Sequence, residues 1–225
     1  MIFNIYKPKD LTSHDVVAKA RGILRTKKVG HAGTLDPLAE GVLIILTDTD
    51  TKKQQEFMSM EKEYVAEICF GAVSPTYDLE IIPSFKKNIT LEEAETLINR
   101  HIPEFIGTIV QTIPPYSAKK VDGKKLYLLA RKGLEITDQK KEVTIKSIDI
   151  LDYCMKEIGT SSGIYSLPHF TVKVKCSSGT FIRSIAHELG LKALSGAILT
   201  HLVRTAVGEY RVEDSIKIED LLSLR

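Results

Sequence analysis

The sequence predicts an α+β domain: a mixed, mostly antiparallel sheet flanked by helices and loops. Segments of strand composition are frequent. They do not alternate regularly with long helices, as a doubly wound parallel sheet would require, and the segments of helical period are short. No internal repeat or low-complexity tract interrupts the 225 residues, a length that suits one large domain over residues 1–225. A chain of this size buries roughly 70% of its unfolded surface and needs no staple.

Residues 3–6 alternate and meet Lys7-Pro8, which predicts a strand running into a turn. Ser13 is placed to cap a helix over residues 14–25, with Val16, Val17, Ala20 and Leu24 as its buried stripe. A loop with Gly30 and Gly33 leads to a buried strand over 41–46 and a helix over 51–59. Residues 64–70 have strand composition, and 72–88 carry turn residues and read as loop. Thr90 and Glu93 form a capping box that starts a helix ending near His101. A short strand over 108–112 precedes Pro114-Pro115, and residues 124–131 predict a helix stopped by Gly133. Strands follow over 143–145 and 148–151, then a turn-rich insert over 157–163. In residues 170–176, Val172 and Val174 face one way and Lys173 and Lys175 the other. A helix over 180–189 ended by Gly190, a strand region over 198–207 and a helix over 214–223 complete the chain.

No apolar run approaches the roughly 20 residues a membrane span needs, and the short N-terminal strand does not read as a signal peptide. Cys69, Cys154 and Cys176 are odd in number and widely spaced, with no Cys-x-x-Cys pair, so neither a zinc site nor a disulfide framework is expected. A reducing cytoplasm is the plain reading. Net charge is only +2, but it is unevenly distributed. Residues 1–36 hold seven Lys/Arg against three Asp/Glu, residues 119–146 hold nine against four, and residues 56–105 hold four against ten. Two basic stretches around an acidic one suit a polyanion.

The loop Gly30-His31-Ala32-Gly33-Thr34-Leu35-Asp36-Pro37-Leu38-Ala39 admits two readings. Asp36 followed by Pro37 is a common helix start, with Asp as N-cap and Pro at the first helical position. Alternatively, Asp36 sits at the rim of a cleft on a short rigid turn, with Gly33 allowing a ligand close to the backbone and Arg21, Arg25, Lys27 and Lys28 leading up to it. The two readings are compatible.

The run from His31 to Leu43 resembles the catalytic signature of the TruB family of pseudouridine synthases, with Asp36 in register. Tyr6-Lys7-Pro8 with Thr12-Ser13 resembles the family's opening, although Asp10 stands where Gly is usual. Lys62-Glu63-Tyr64-Val65-Ala66, the run from Ile113 to Tyr127, and the run from Cys176 to Ser184 extend the resemblance over nearly the whole chain.

The resemblance implies the pseudouridine synthase fold and an isomerase that converts uridine to pseudouridine in the tRNA T-loop, position 55, without cofactor or metal. It implies Asp36 as nucleophile, Arg183 as the arginine paired with it, and Tyr64 as the tyrosine that stacks on the target base. It further implies His31 stacking where the flipped base was and Leu202 lining the uracil pocket. Lys7, Lys119 and Lys120 are expected RNA contacts, together with Asp78 in the altered segment that runs from Gly71 to Leu79. Many bacterial members continue into a C-terminal PUA domain; this chain ends at Arg225, so that domain is not expected in it. The expected partner is the tRNA T-arm, acted on by a monomer with no membrane and no obligate protein partner. Two alternatives are a guide-RNA-dependent synthase of the dyskerin type and an RNA-binding or RNA-folding protein in which catalysis is incidental.

Overall fold

The computed structural model describes residues 1–117, 119–121, 124–130 and 139–224. The predicted helix end at Arg131 and its stop at Gly133 lie outside the described residues. The chain divides into two compact units: Met1–Val65, Val174–Gly179 and His201–Arg225 form the first, Ala66–Lys173 and Thr180–Thr200 the second.

The first unit begins with β1 (Ile2–Lys7) and α1 (Ser13–Leu24), followed by β2 (Val29–Ala32) and β3 (Glu40–Thr47). A 3-10 turn and the short α2 (Gln54–Ser59) lead to β4 (Lys62–Phe70), whose first residues belong to this unit. β1 alternates so that Phe3, Ile5 and Lys7 all point inward. It pairs antiparallel with β3, from Ile2↔Leu46 to Lys7↔Gly41. α1 is capped by Thr12, one residue earlier than the expected Ser13. The Thr12 hydroxyl accepts from the Asp15 amide while the Asp15 carboxylate takes the Thr12 amide, a reciprocal capping box. Ser13 is thereby freed for another task, described below. Val16, Val17 and Ala20 pack on Phe3, Ile5, Leu43 and Ile45, the larger of these side chains each contributing roughly 1.5–3 kcal/mol. Leu24 borders this cluster only partly buried.

Residues 36–40 form no helix: the Ala39 amide bonds the Asp36 carbonyl in a single turn, and β3 starts at Glu40. The expectation that Asp36 caps a helix is therefore corrected. The strong strand sequence from Gly41 to Leu46 outweighs the local Asp-Pro signal. The C-terminal segment is likewise a 3-10 stretch, Ile218–Leu224, preceded by turns rather than by the helix expected from 214.

The second unit holds β5 (Ala72–Val73) paired with β6 (Ser84–Phe85), short strands within a region the sequence marks as loop. α3 (Leu91–His101) starts on the expected Thr90–Glu93 capping box. β7 (Gly107–Thr112) precedes the small β8 (Lys120–Val121) and β9 (Lys124–Lys125) hairpin and the short α4 (Leu126–Ala130). β10 (Lys140–Thr160) and β11 (Gly163–Cys176) are long strands with only residues 161–162 between them. The expected insert over 157–163 is thus mostly strand, because Ile158 joins Leu167 and Ile198 in a buried cluster that keeps the chain extended. α5 (Ile182–Lys192) runs through Gly190 instead of stopping there. Gly190 is a packing residue: a Cβ would lie 2.0 Å from the Ala197 nitrogen, so only glycine lets the chain fold back so closely. Leu189, one residue earlier, is buried and keeps the helix docked.

β12 (Ala197–Val207) and the short β13 (Tyr210–Arg211) close the sheet. Within the first unit the hydrogen-bonded order is β1-β3-β12-β4, with β2 on β3 and β13 on β12. Within the second it is β4-β11-β10-β7. β12 pairs parallel with β3, and the β1–β3, β2–β3, β7–β10 and β12–β13 pairs are antiparallel. The fold is α+β with a mixed, mostly antiparallel sheet, as the strand-rich sequence predicts.

Candidate active site

In the first unit the chain on both sides of Asp36 is pinned. Ser13, 2% exposed, uses its one hydroxyl twice, donating to the Leu35 carbonyl at 3.1 Å and accepting from the Leu35 amide at 2.8 Å. On the other side the Asp10 amide bonds the Pro37 carbonyl at 2.8 Å. The Lys7 ammonium, fully buried, donates to the carbonyls of Leu11 at 2.6 Å, Pro8 at 2.9 Å and Pro37 at 3.4 Å. Gly33, with φ of +91°, supplies the left-handed bend at the head of the loop. Asp36 itself is half-buried at the apex.

Lys7 therefore differs from its expected role. It occupies the inward phase of β1, where an apolar residue would ordinarily stand, and its ammonium is consumed by main-chain oxygens. It braces the loop instead of meeting phosphate. Burial lowers its pKa to about 8, against the pull of the Asp36 and Glu40 charges.

Tyr64 lies on the inward phase of β4, 8% exposed. Burial raises its pKa, while the charge of the Arg204 guanidinium pulls it down. Arg204 is 1% exposed and donates from Nε to the Val42 carbonyl at 2.7 Å and from Nη2 to the Gly33 carbonyl at 3.1 Å. No motif marks Arg204; the available signal is its phase. Residues 202, 204 and 206 of β12 are the buried set, so a charged residue at 204 stands where the strand expects an apolar one. Leu202 shares that phase and is buried at 5%. His31 is half-buried in β2; burial, then the charges of Arg204 and His14, lower its pKa and keep the ring neutral near pH 7. Glu40, at the start of β3, accepts from the Tyr6 hydroxyl at 2.8 Å and pairs with His201 at 2.8 Å.

In the second unit Arg183 is 3% exposed near the start of α5. Its Nη1 lies 3.4 Å from the Asp78 carboxylate and donates to the Thr76 carbonyl at 2.9 Å; Nη2 donates to the Tyr116 carbonyl at 3.2 Å. Asp78, expected at the RNA, is 1% exposed and serves this ion pair, which removes it from a surface role. A bare carboxylate would in any case repel phosphate. Tyr77 stacks on His187 with ring centroids 3.8 Å apart, fixing the same segment from its other side. Lys119 is exposed, and its charge reaches Lys141, whose pKa falls through burial first and that repulsion second. The backbone of Lys120, Lys124 and Lys125 forms the β8–β9 hairpin, while their side chains lie outside the described set. Among the described residues, no group of three or more His, Cys, Asp or Glu is arranged to hold a metal, and no helix is long and apolar enough to cross a membrane.

Residues 21–182 match the family described as TruB family pseudouridylate synthase (N terminal domain). The chain belongs to the TruB family. It is 39% identical over 224 residues to tRNA pseudouridine synthase B of Clostridium tetani, covering 98% of this chain and 72% of that protein. It is 43% identical over 222 residues to tRNA pseudouridine synthase B of Phocaeicola vulgatus, covering 95% and 88%. Among solved structures it is similar to a chain of a Cbf5-Nop10-Gar1 complex, at 26% identity and a TM-score of 0.69. That match takes in 99% of this TruB-family chain but only 53% of the solved one, so the chain spans about half the length of the solved protein.

Proposed function

We propose that this chain converts uridine to pseudouridine in tRNA, at position 55 of the T-loop, as a cytoplasmic monomer with Asp36 as its nucleophile. The names borne by relatives that match nearly all of this chain support the tRNA reaction. The single observation that carries the site assignment is the braced turn: Leu35 and Pro37 are each held by bonds from residues far back in sequence, so the carboxylate between them is presented on a rigid mount.

The reaction is an isomerisation. The N1–C1′ bond of uridine breaks, the base turns, a C5–C1′ bond forms, C5 gives up a proton and N1 gains one. A carboxylate suits the attack on the target nucleotide, by the logic of a retaining glycosidase nucleophile. Water must be excluded while the base is detached, or the base is lost by hydrolysis. Arg183 is carried over as the arginine that pairs with the nucleophile in the reaction, a role supported by its matched segment. Tyr64 stacks on the base, and Leu202 lines the uracil pocket. The uridine of a folded loop is flipped out, and the neutral His31 ring stacks in its place, worth on the order of 1–3 kcal/mol. Lys119, just before the hairpin, and Lys120 contact phosphates.

The test is to incubate the protein with an unmodified tRNA transcript, with no guide RNA and no added cofactor, and map pseudouridine by chemical labelling. Product at position 55 is expected. Product at another position, or product only when a guide RNA is supplied, overturns the reading.

A further inference from the structure

Tyr77 carries a backbone angle that tyrosine rarely adopts: φ is +64°, in the left-handed region that glycine favours. A bulky residue stays there only where its surroundings over-determine it. The place of this kink in the second unit is specific. The two groups that Arg183 grips in this segment, the Thr76 carbonyl at 2.9 Å and the Asp78 carboxylate at 3.4 Å, lie on either side of Tyr77. The Tyr77 backbone angles therefore set the relative aim of both groups toward one guanidinium. The segment is tied down around the kink as well: the Glu80 amide donates to Asp78 Oδ1 at 2.9 Å, and the Leu199 amide donates to the Tyr77 carbonyl at 2.9 Å.

We infer that His187 is a positioning residue for Arg183: its ring holds Tyr77 in the left-handed conformation, and so holds the Thr76 carbonyl and the Asp78 carboxylate on the Arg183 guanidinium. This rests on the function proposed above, in which Arg183 takes part. Three observations carry it. The His187 and Tyr77 rings are stacked, with centroids 3.8 Å apart and planes 7° from parallel; such a contact is of the same order as the strain of one left-handed residue. His187 follows Arg183 by four residues on α5, so the two side chains project from one face of the helix, one turn apart. That single face takes hold of residues 76, 77 and 78 by carbonyl, ring and carboxylate. Finally, neither Gly nor Asn, which enter the left-handed region at little cost, stands at position 77. The ring contact does the work that a glycine's backbone freedom would otherwise do.

The experiment is a suppressor test with a readout that needs no turnover, each variant first checked for native circular dichroism. His187→Ala is expected to lower kcat about 10-fold with little change in KM. His187→Phe keeps a ring for the stack and is expected to stay within about 3-fold of wild type. In His187→Ala combined with Tyr77→Gly, residue 77 needs no ring to remain left-handed, and kcat is expected to return to within about 3-fold of wild type. A side chain that served only packing would not be rescued by removing a second one. In parallel, native-state hydrogen exchange of the Leu199 amide, which is bonded to the Tyr77 carbonyl, is expected to be about 10-fold faster in His187→Ala and near wild type in His187→Phe. Wild-type kcat in His187→Ala, an equal loss in His187→Ala and His187→Phe, a double variant no better than His187→Ala, or unmoved Leu199 exchange each overturns the inference. If wild-type protein modifies no tRNA, the proposed function fails, and the Leu199 exchange still decides whether His187 fixes the segment.

Discussion

In the unit that contains Asp36, the buried cations Lys7 and Arg204 grip the loop through main-chain oxygens, those of Pro37 and Gly33. In the unit that contains Arg183, a buried guanidinium grips residues 76–78 through one carbonyl and through the Asp78 carboxylate. The two braces do the same mechanical work with different acceptors. The first brace acts on its loop through the neutral carbonyls of Pro37 and Gly33. The second brace instead consumes its carboxylate as a counter-ion. One brace holds its loop by dipoles, and the other neutralises a carboxylate.

The largest expected effect comes from the guanidinium of the second brace. Arg183→Lys keeps the charge but loses the fork that reaches Asp78, Thr76 and Tyr116 together. Pseudouridine formation on a tRNA transcript is expected to fall about 100-fold; near-wild-type turnover would show that the charge alone suffices. Next, Asp78→Asn removes the counter-ion from a buried cation and is expected to cost about 3 kcal/mol in urea unfolding. A loss below about 1 kcal/mol would mean that the second brace, like the first, runs on carbonyls. Ser13→Ala removes both bonds to Leu35 without creating a charge imbalance, and about 1–2 kcal/mol is expected by the same measurement.

The smallest effect separates charge from contact in the first brace. Because burial holds the Lys7 pKa at about 8 against an unfolded value of 10.5, the ammonium is present in the folded protein below pH 8 and lost above it. Between those values the unfolded chain binds the extra proton, so this group's contribution to stability rises with pH. Activity is expected to move the other way, falling as pH rises through about 8, as Lys7 loses its attraction to Asp36. A pH profile of kcat/KM alongside thermal unfolding checks both directions, and Lys7→Met is expected to abolish the activity limb. Stability and activity falling together would contradict this account of Lys7.

Much of the frame is legible from local rules. The stripe of Val16, Val17 and Ala20, the Thr90–Glu93 box and the apolar run of β3 each agree with what they pack against. Two misreadings share one cause, tertiary override of a local signal. Gly190 reads as a helix stop but is required by the returning chain at Ala197, and Asp36-Pro37 reads as a helix start but serves a turn before a strong strand. The matched motifs single out Asp36, Tyr64 and Arg183, but the braces are invisible to pattern reading. Lys7 and Arg204 are charged residues in the buried phase of strands, and a binary reading assigns such residues to the surface. Only the carbonyls that meet them reveal why they are inside.

The most direct test of the central claim compares wild type with Asp36→Asn on the unmodified tRNA transcript, measuring pseudouridine formation and tRNA binding together. The substitution preserves shape and leaves the bonds to Leu35 and Pro37 intact. Pseudouridine is expected to fall below roughly one-thousandth of the wild-type rate while tRNA is still bound. Modification of the transcript by Asp36→Asn at a rate comparable to wild type would contradict the assignment of Asp36 as nucleophile.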